Sequence, residues 1–136
     1  MRRAPIAVAV ALAVAGLAFA AVTLVALEGR EVVVIETLDD AGAARRTRTW
    51  VADDAGAAWI EAATPERPFV GDLRRRPSLV LEREGVRHAC TAAIAPNPDG
   101  HERIRRLLAE RYGWADCWIA LVADTHASLG IRLECA

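Results

Sequence analysis

Residues 31–62 read EVVVIETLDDAGAARRTRTWVADDAGAAWIEA, and this stretch decides the fold. The tetrapeptide DDAG occurs in it twice, at residues 39–42 and 53–56. In an Asp-x-x-Gly sequence the aspartate bonds to nearby backbone and the glycine accepts a positive φ, which is typical of a type I turn. The segment before the first turn is rich in β-branched residues, as strands are. The stretch therefore predicts three antiparallel strands, at residues 31–38, 44–52 and 57–62.

The chain after residue 62 continues with short strands and short helices. Pro77 ends one helix because a proline disfavours helical backbone at the residue before it. Gly113 separates two further helices. The pair Glu84-Gly85 is typical of a two-residue hairpin turn. The predicted helices lie at residues 69–76, 101–112 and 114–123, and the predicted strands at residues 78–83, 86–95 and 131–135. Six strands with two or three short helices between them predict a mainly β (α+β) domain, built as a six-stranded antiparallel barrel.

The chain begins with a long apolar segment. Residues 4–27 read APIAVAVALAVAGLAFAAVTLVAL and contain no charged side chain. As a helix these residues extend about 36 Å, which is enough for a hydrocarbon core of about 30 Å. We therefore predict a single transmembrane anchor within residues 1–29 and one domain at residues 30–136. The alternatives are a cleaved signal peptide, with Ala18-Phe19-Ala20 as the small-x-small site, and a buried helix of a soluble protein.

The length of this segment favours the anchor, because the apolar region of a signal peptide is usually about 7–15 residues long. Arg2 and Arg3 precede it and favour a cytoplasmic amino terminus. The predicted location is thus the plasma or inner membrane of a bacterium, in a single pass, with the domain outside the cytoplasm. Positively charged residues near a membrane segment favour the cytoplasmic side, and a second cluster lies about 20 residues after this segment: Arg45, Arg46 and Arg48. The orientation therefore stays open.

Composition excludes some functions and leaves others open. Without Arg2 and Arg3 the chain carries 15 basic and 18 acidic residues, which argues against a nucleic-acid partner. All the basic residues are arginine, so an anion site must use guanidinium or backbone N–H groups. His88 and Cys90 share a strand face, but two ligands do not make a metal site, and no metal is predicted. The three cysteines allow one disulfide outside the cytoplasm, with its pairing undetermined.

The order of these elements resembles the split-barrel flavin and deazaflavin reductases of the pyridoxamine-phosphate-oxidase-like superfamily. The resemblance rests on RRTRTW at residues 45–50, a short helix ending in proline, RYGWAD at residues 111–116 and a final IRLE strand. Within the superfamily the chain is most similar to the deazaflavin-dependent nitroreductases. The resemblance implies a six-stranded split barrel, a homodimer, and a groove beside the barrel that holds FMN, a deazaflavin or haem.

The resemblance also implies a cofactor site in this chain. Basic residues on the second strand would hold the phosphate, and the ring would lie near the short helix after the third strand. Arg46, Arg48 and Trp50 alternate along that strand, so the indole could stack a flat ring beside two cations. The implied cofactor-binding residues are Arg45, Arg46, Arg48, Trp50, Phe69 and Leu73. No catalytic side chain is predicted, because in such enzymes the cofactor carries the chemistry.

Two functions remain open from the sequence. The first is a membrane-anchored, flavin- or deazaflavin-dependent oxidoreductase that transfers hydride or electrons to a small substrate. The second is a non-catalytic split-barrel domain, tethered to the membrane for binding or interaction, whose cofactor site is degenerate. The second arises because Asp39 and Asp40 stand in a loop where the deazaflavin enzymes carry a glycine-rich basic sequence. The arginines would then be solvated charges on an edge strand.

Overall fold

The computed structural model describes residues 3–136, with side chains from residue 4 onward. In chain order the elements are α1 Arg3–Glu28, β1 Val33–Leu38, β2 Ala44–Thr49, β3 Val51–Asp54, β4 Ala57–Ala62, α2 Pro68–Arg75, β5 Ser78–Arg83, β6 Val86–Ile94, α3 Asp99–Tyr112, α4 Trp114–Val122 and β7 Leu129–Cys135. Each predicted helix and strand is present, and its limits fall within two residues of those expected. The exception is the predicted strand at residues 44–52.

That strand is divided at Trp50. The seven strands form one antiparallel sheet in the order β2-β1-β5-β6-β7-β4-β3. β2 and β3 follow one another in the chain but occupy opposite edges of the sheet, so the backbone leaves one edge at Thr49 and joins the other at Val51. The sheet is therefore curled into a split barrel. The predicted count of six strands is corrected to seven, because this crossing divides one of them.

The two DDAG turns differ. In the first, Asp39 Oδ1 accepts hydrogen bonds from the N–H groups of Ala41 and Ala43 at 2.9 and 2.8 Å, and Gly42 has a φ of 81°. This turn is as predicted. In the second, Ala55 and Gly56 both have positive φ, at 51° and 78°, which is the geometry of a two-residue type I′ turn. The type I prediction is wrong there, since a two-residue hairpin needs a turn that follows the twist of its strands.

The core has two parts. The first lies inside the curled sheet, where side chains from the strands pack against Phe69, Val70 and Leu73 of α2. The second lies under α3, whose Ile104, Leu108 and other apolar residues pack on the outer side of β3 and β4. Ala26 of α1 is fully buried in this second part, so the carboxyl end of α1 belongs to the domain.

The rest of α1 is unlike a core helix. Every side chain from Ala4 to Val22 is exposed, although the ring of Trp118 on α4 lies beside that of Phe19. By length and composition α1 can span a membrane, although a signal sequence at the amino terminus has the same character. The side of the membrane on which the domain lies stays a prediction.

Cys90 and Cys135 form a disulfide, which resolves the pairing that the sequence left open. The two residues are directly opposite in the β6–β7 pair, with their Cα atoms 4.0 Å apart. The bond closes a loop with a sequence separation of 45 residues and holds the last strand in the sheet. Cys117, on α4, is free and exposed.

We expect Cys135→Ala to lower the free energy of unfolding by about 2–5 kcal/mol, because the bond restricts the unfolded chain. Denaturant titration of the full chain in detergent, under oxidising conditions, measures this. Cys117→Ala is the matched control and should leave the midpoint unchanged. Equal midpoints for Cys135→Ala and the wild type would contradict the prediction.

A charged cluster joins four elements near the start of β1. Arg83 donates to Glu31 at 2.6 Å and to Asp53 at 2.8 Å, and Arg111 also pairs with Glu31. The hydrogen bonds from Arg83 lower the pKa of Glu31 and the pKa of Asp53. The cluster therefore favours the ionised carboxylates of the folded chain.

This cluster predicts acid sensitivity. Because both carboxyl pKa values are lowered on folding, the stabilisation is complete above the unfolded values of about 4 and is lost as the pH falls through the folded values. Thermal unfolding between pH 7 and pH 2 should show the loss below about pH 4. Glu31→Gln should flatten that dependence, whereas Glu66→Gln, an exposed residue outside the cluster, should not. Identical pH profiles for the two variants would contradict the assignment.

Candidate functional site

A cavity of about 360 Å³ lies where the end of α1 meets the barrel, and its volume is within the usual range for ligand pockets of about 300–1,000 Å³. The side of α1, the junction of β2 and β3, the loop before α2, and helices α3 and α4 form its wall. The lining residues are Leu27, Glu28, Val32, Thr47, Arg48, Thr49, Trp50, Glu61, Ala63, Arg67, Phe69, Arg105, Leu108 and Ile119.

Trp50 is held in this wall by contacts on its ring and its nitrogen. Its ring stacks on Tyr112, with the centroids 4.3 Å apart and the planes 9° from parallel. Its Nε1 donates a hydrogen bond of 3.1 Å to the carbonyl of Leu27 in the last turn of α1. The indole therefore connects the crossing between β2 and β3 to the end of the apolar helix.

Tyr112 supports Trp50 from behind. Its hydroxyl oxygen accepts a hydrogen bond from the N–H of Val51 at 3.1 Å and lies 2.8 Å from the carbonyl oxygen of Glu31, to which it donates. The side chain is fully buried, and burial raises the pKa of Tyr112. The phenol is thus neutral and already bonded on both sides, so its role is to hold Trp50 and the backbone in place.

Arg105 and Glu61 are partly buried charged residues in the wall of the cavity. Arg105 Nη1 donates to Glu61 at 3.1 Å, and Arg105 Nη2 donates to both carboxylate oxygens of Asp116 at 2.7 Å. Burial opposes the charge of Arg105, but the two carboxylates outweigh it and raise the pKa of the guanidinium. The group makes a rigid wall with little free charge. This group was not predicted, because Arg105 and Glu61 lie outside any motif and only Asp116 belongs to RYGWAD.

The structure brings together three of the six predicted cofactor-binding residues. Arg48, Trp50 and Phe69 line the cavity. Arg48 is largely exposed and pairs with Glu28 at the end of α1. Phe69 is 2% exposed and closes the cavity on the side of α2. For these three residues, cofactor binding stays a prediction that the geometry is compatible with.

The other three predicted residues lie outside the cavity. Arg45 Nε donates to the buried carboxylate of Asp72 at 2.8 Å, which joins the β1–β2 hairpin to α2. Arg46 pairs across the sheet with two glutamates, Glu82 at 3.0 Å and Glu36 at 3.3 Å. Leu73 is packed in the core inside the barrel.

Arg67 is a lining residue that the sequence analysis did not single out. It lies in the loop before α2, is exposed, and has no ion pair within the part of the chain that the structure describes. A loop arginine outside any motif carries no signal in the sequence. Its guanidinium can bind an anion directly, whereas each arginine of β2 is already paired with a carboxylate.

The arrangement joins apolar surface to positive charge. Phe69, Leu108 and Ile119 give apolar walls, Trp50 gives a flat aromatic edge, and Arg48 and Arg67 place guanidinium groups at the rim. Such a site suits a planar, apolar group that carries an anionic substituent.

Comparison of the fold with solved structures finds split-barrel proteins. The conserved hypothetical protein Rv2991 of Mycobacterium tuberculosis has a TM-score of 0.60 at 17% identity, with 85% of this chain and 79% of that chain covered. A Listeria innocua protein assigned to the pyridoxamine 5′-phosphate oxidases has a TM-score of 0.55 at 15% identity, covering 82% and 89%. An F420 reductase has a TM-score of 0.55 at 13% identity, covering 83% and 92%.

At these identities the likeness shows the fold alone. No protein-family model matches the sequence, and its comparison with curated proteins gives no match. The structures of this fold include F420 reductases and proteins related to pyridoxamine 5′-phosphate oxidase. The split barrel expected from the sequence is therefore confirmed.

The bonds of Tyr112 give a prediction for the wall of the cavity. Tyr112→Phe leaves the buried N–H of Val51 without its partner, and we expect the free energy of unfolding to fall by about 1–3 kcal/mol. Denaturant titration measures the change. Thr49→Val, which removes a weaker hydroxyl contact of 3.3 Å beside it, is the control and should cost about 0.5 kcal/mol or less. If the phenylalanine variant costs no more than the control, Tyr112 does not hold the wall.

Proposed function

We propose that the chain is a membrane-anchored, flavin- or deazaflavin-dependent oxidoreductase that transfers hydride or electrons to a small substrate. The observation that carries the proposal is the cavity beside Trp50, with two guanidinium groups at its rim. The fold gives further support, because an F420 reductase shares it. The fold alone does not identify a function, because one fold hosts many functions.

The residues of the cavity fit such a cofactor. A flat ring can lie against Trp50 and Phe69, and its anionic chain can reach Arg48 and Arg67. Glu28 opposes binding of a phosphate, because it pairs with Arg48 and would compete with the phosphate for that arginine. The free guanidinium of Arg67 offsets this competition.

The acidic loop does not oppose binding at this place. Asp39 and Asp40 follow the carboxyl end of β1, whereas the cavity lies at its amino end, beside Val32. The lining of the cavity reaches Thr47 of β2, whose strand partner Ile35 precedes Asp39 by four residues, or about 13 Å along the strand. At that distance, beyond a Debye length of about 8–10 Å, repulsion from exposed carboxylates is largely screened.

The protein would bind and orient the cofactor, and the bound cofactor would supply the hydride-transfer chemistry. Trp50, fixed by Tyr112 and by the carbonyl of Leu27, sets the plane against which a ring rests. Phe69 and Leu108 keep water from the inner side of the cavity. Arg105 is held by two carboxylates and so keeps the outer wall in one position.

A non-catalytic binding domain is the second candidate, and one observation favours it. Each predicted phosphate-binding arginine of β2 already has a carboxylate partner: Arg45, Arg46 and Arg48. If these pairs persist in the presence of ligand, the cavity offers only Arg67 to an anion, and cofactor binding would be weak.

The location and the assembly are part of the proposal. The disulfide between Cys90 and Cys135 supports a domain outside the cytoplasm, because such bonds persist in oxidising compartments. A homodimer, expected from the resemblance and from the small size of the domain, remains a prediction.

Titration of the full chain in detergent with FMN and, separately, with a deazaflavin tests the proposal. Arg67→Ala should weaken binding of the cofactor about ten- to a hundredfold, since a charge-assisted contact contributes about 1.5–3 kcal/mol. Arg74→Ala is the matched control, because Arg74 is an exposed arginine of α2 outside the cavity. Wild-type binding weaker than about millimolar for both compounds (about −4 kcal/mol) would reject the oxidoreductase and leave the second candidate. Equal loss in the two variants would reject the position of the phosphate.

A further inference from the structure

Helix α4 exposes a surface without charge. Its exposed residues are Trp114, Cys117, Ala120, Leu121 and Val122. Leu121 is 82% exposed and Trp114 is 51% exposed, which is unusual for large apolar side chains. The one charged residue of α4, Asp116, is turned inward and bound by Arg105. The outer face of α4 is therefore wholly uncharged.

The preceding helix shows the contrast. The exposed face of α3 carries Arg103, Arg106 and Glu110, which pair with acidic or basic neighbours as on an ordinary solvated helix. The two helices are separated by Gly113 alone, so they are neighbours at one corner of the domain. The difference in their outer faces indicates that α4 has a different environment from α3.

α4 is also fixed against the apolar helix α1. Trp118 Nε1 donates a hydrogen bond of 2.9 Å to Thr23 Oγ1, and the ring of Trp118 lies 5.4 Å from that of Phe19. Thr23 and Phe19 precede Glu28, the first charged residue after the apolar run, by five and nine residues. At a rise of 1.5 Å per residue these contacts lie about 7.5 and 13.5 Å along α1 from Glu28.

These positions set the depth of α4 in a bilayer. A hydrocarbon core of about 30 Å takes about 20 helical residues, so a span that begins at Ala4 reaches its boundary near Thr23. Trp118 contacts α1 at that boundary and just within it. Tryptophan is enriched at this level, where its ring is apolar and its N–H can still bond.

We propose that α4 lies in the interface of the bilayer that α1 spans, with Trp114, Leu121 and Val122 among the headgroups and the upper acyl chains. The inference rests on the proposed membrane anchor, and the partner to which it commits is a lipid surface. α1 and α4 together would then hold the domain against the membrane at two points, with the uncharged face of α4 toward the lipid.

Cys117 allows a direct test in the full chain, because it is the free, exposed thiol and lies on α4. The thiol is labelled with an environment-sensitive fluorophore (NBD), and the protein is reconstituted into vesicles of phosphatidylethanolamine and phosphatidylglycerol. We expect emission shifted to the blue, and strong quenching by lipids that carry a nitroxide at the headgroup or at the upper acyl chain. Lipids with the nitroxide deep in the acyl chain should quench less.

Two further variants complete the experiment. Cys117→Ser with Leu121→Cys moves the label one turn along α4 and should report a similar depth. Cys117→Ser with Ala41→Cys places it in the β1–β2 turn, at the end of β1 opposite the anchor, and should give water-like emission without quenching by lipid.

The outcomes separate the inference from its premise. If alkaline carbonate leaves the protein in the vesicles but labels on α4 remain water-like, the anchor stands and the inference is overturned. If carbonate extracts the protein, the anchor fails and the inference fails with it. If the α4 labels are shielded from lipid and quench one another between copies, a second copy of the chain covers α4 and the inference is overturned.

Discussion

The stacking of Trp50 on Tyr112 is the contact on which the rest of the structure depends. The backbone crosses from one edge of the sheet to the other at Trp50, and the barrel is curled only if that crossing is held. Tyr112 holds it from α3, through its ring and through its bonds to Val51 and Glu31. The same indole bonds to Leu27, so barrel closure, the seating of α3 and the attachment of α1 share one pair of aromatic rings.

Local patterns were sufficient for most of the secondary structure. Turn residues, prolines and the apolar spacing along α3 are read within a few positions, and they placed the strands and helices correctly. The division at Trp50 was not predicted, because it is caused by closure of the sheet and not by any residue that breaks a strand. The type I′ turn at Ala55 was not predicted for a similar reason. The sequence DDAG is compatible with two turn types, and the two-residue connection between β3 and β4 selects type I′. The pairing of Cys90 with Cys135 follows from a strand register that sequence spacing does not contain.

The site was harder to predict than the fold. A run of arginines on one strand suggested an anion clamp, but partners far along the chain determine what each arginine does. Arg45 pairs with Asp72 and Arg46 pairs with Glu82. These partners are 27 and 36 residues away in the sequence, so no local pattern reveals them. Arg67 is the reverse case, because a residue in a loop gains its place at the cavity only from the folding of the elements around it. Trp50 lines the cavity, and its part in binding a cofactor stays a prediction.

The junction between α1 and β1 consists of only residues 29–32. Next to it, Trp50 bonds to Leu27 and Arg48 pairs with Glu28, so the end of α1 is joined to the barrel by two contacts. These contacts hold the domain against the end of α1. With α1 in a bilayer, the cavity would remain at one height above it, and its encounters would follow lateral diffusion. The rate of meeting a partner in the same membrane would then depend on the number of molecules per unit area, whereas a dissolved partner would have to approach along the surface.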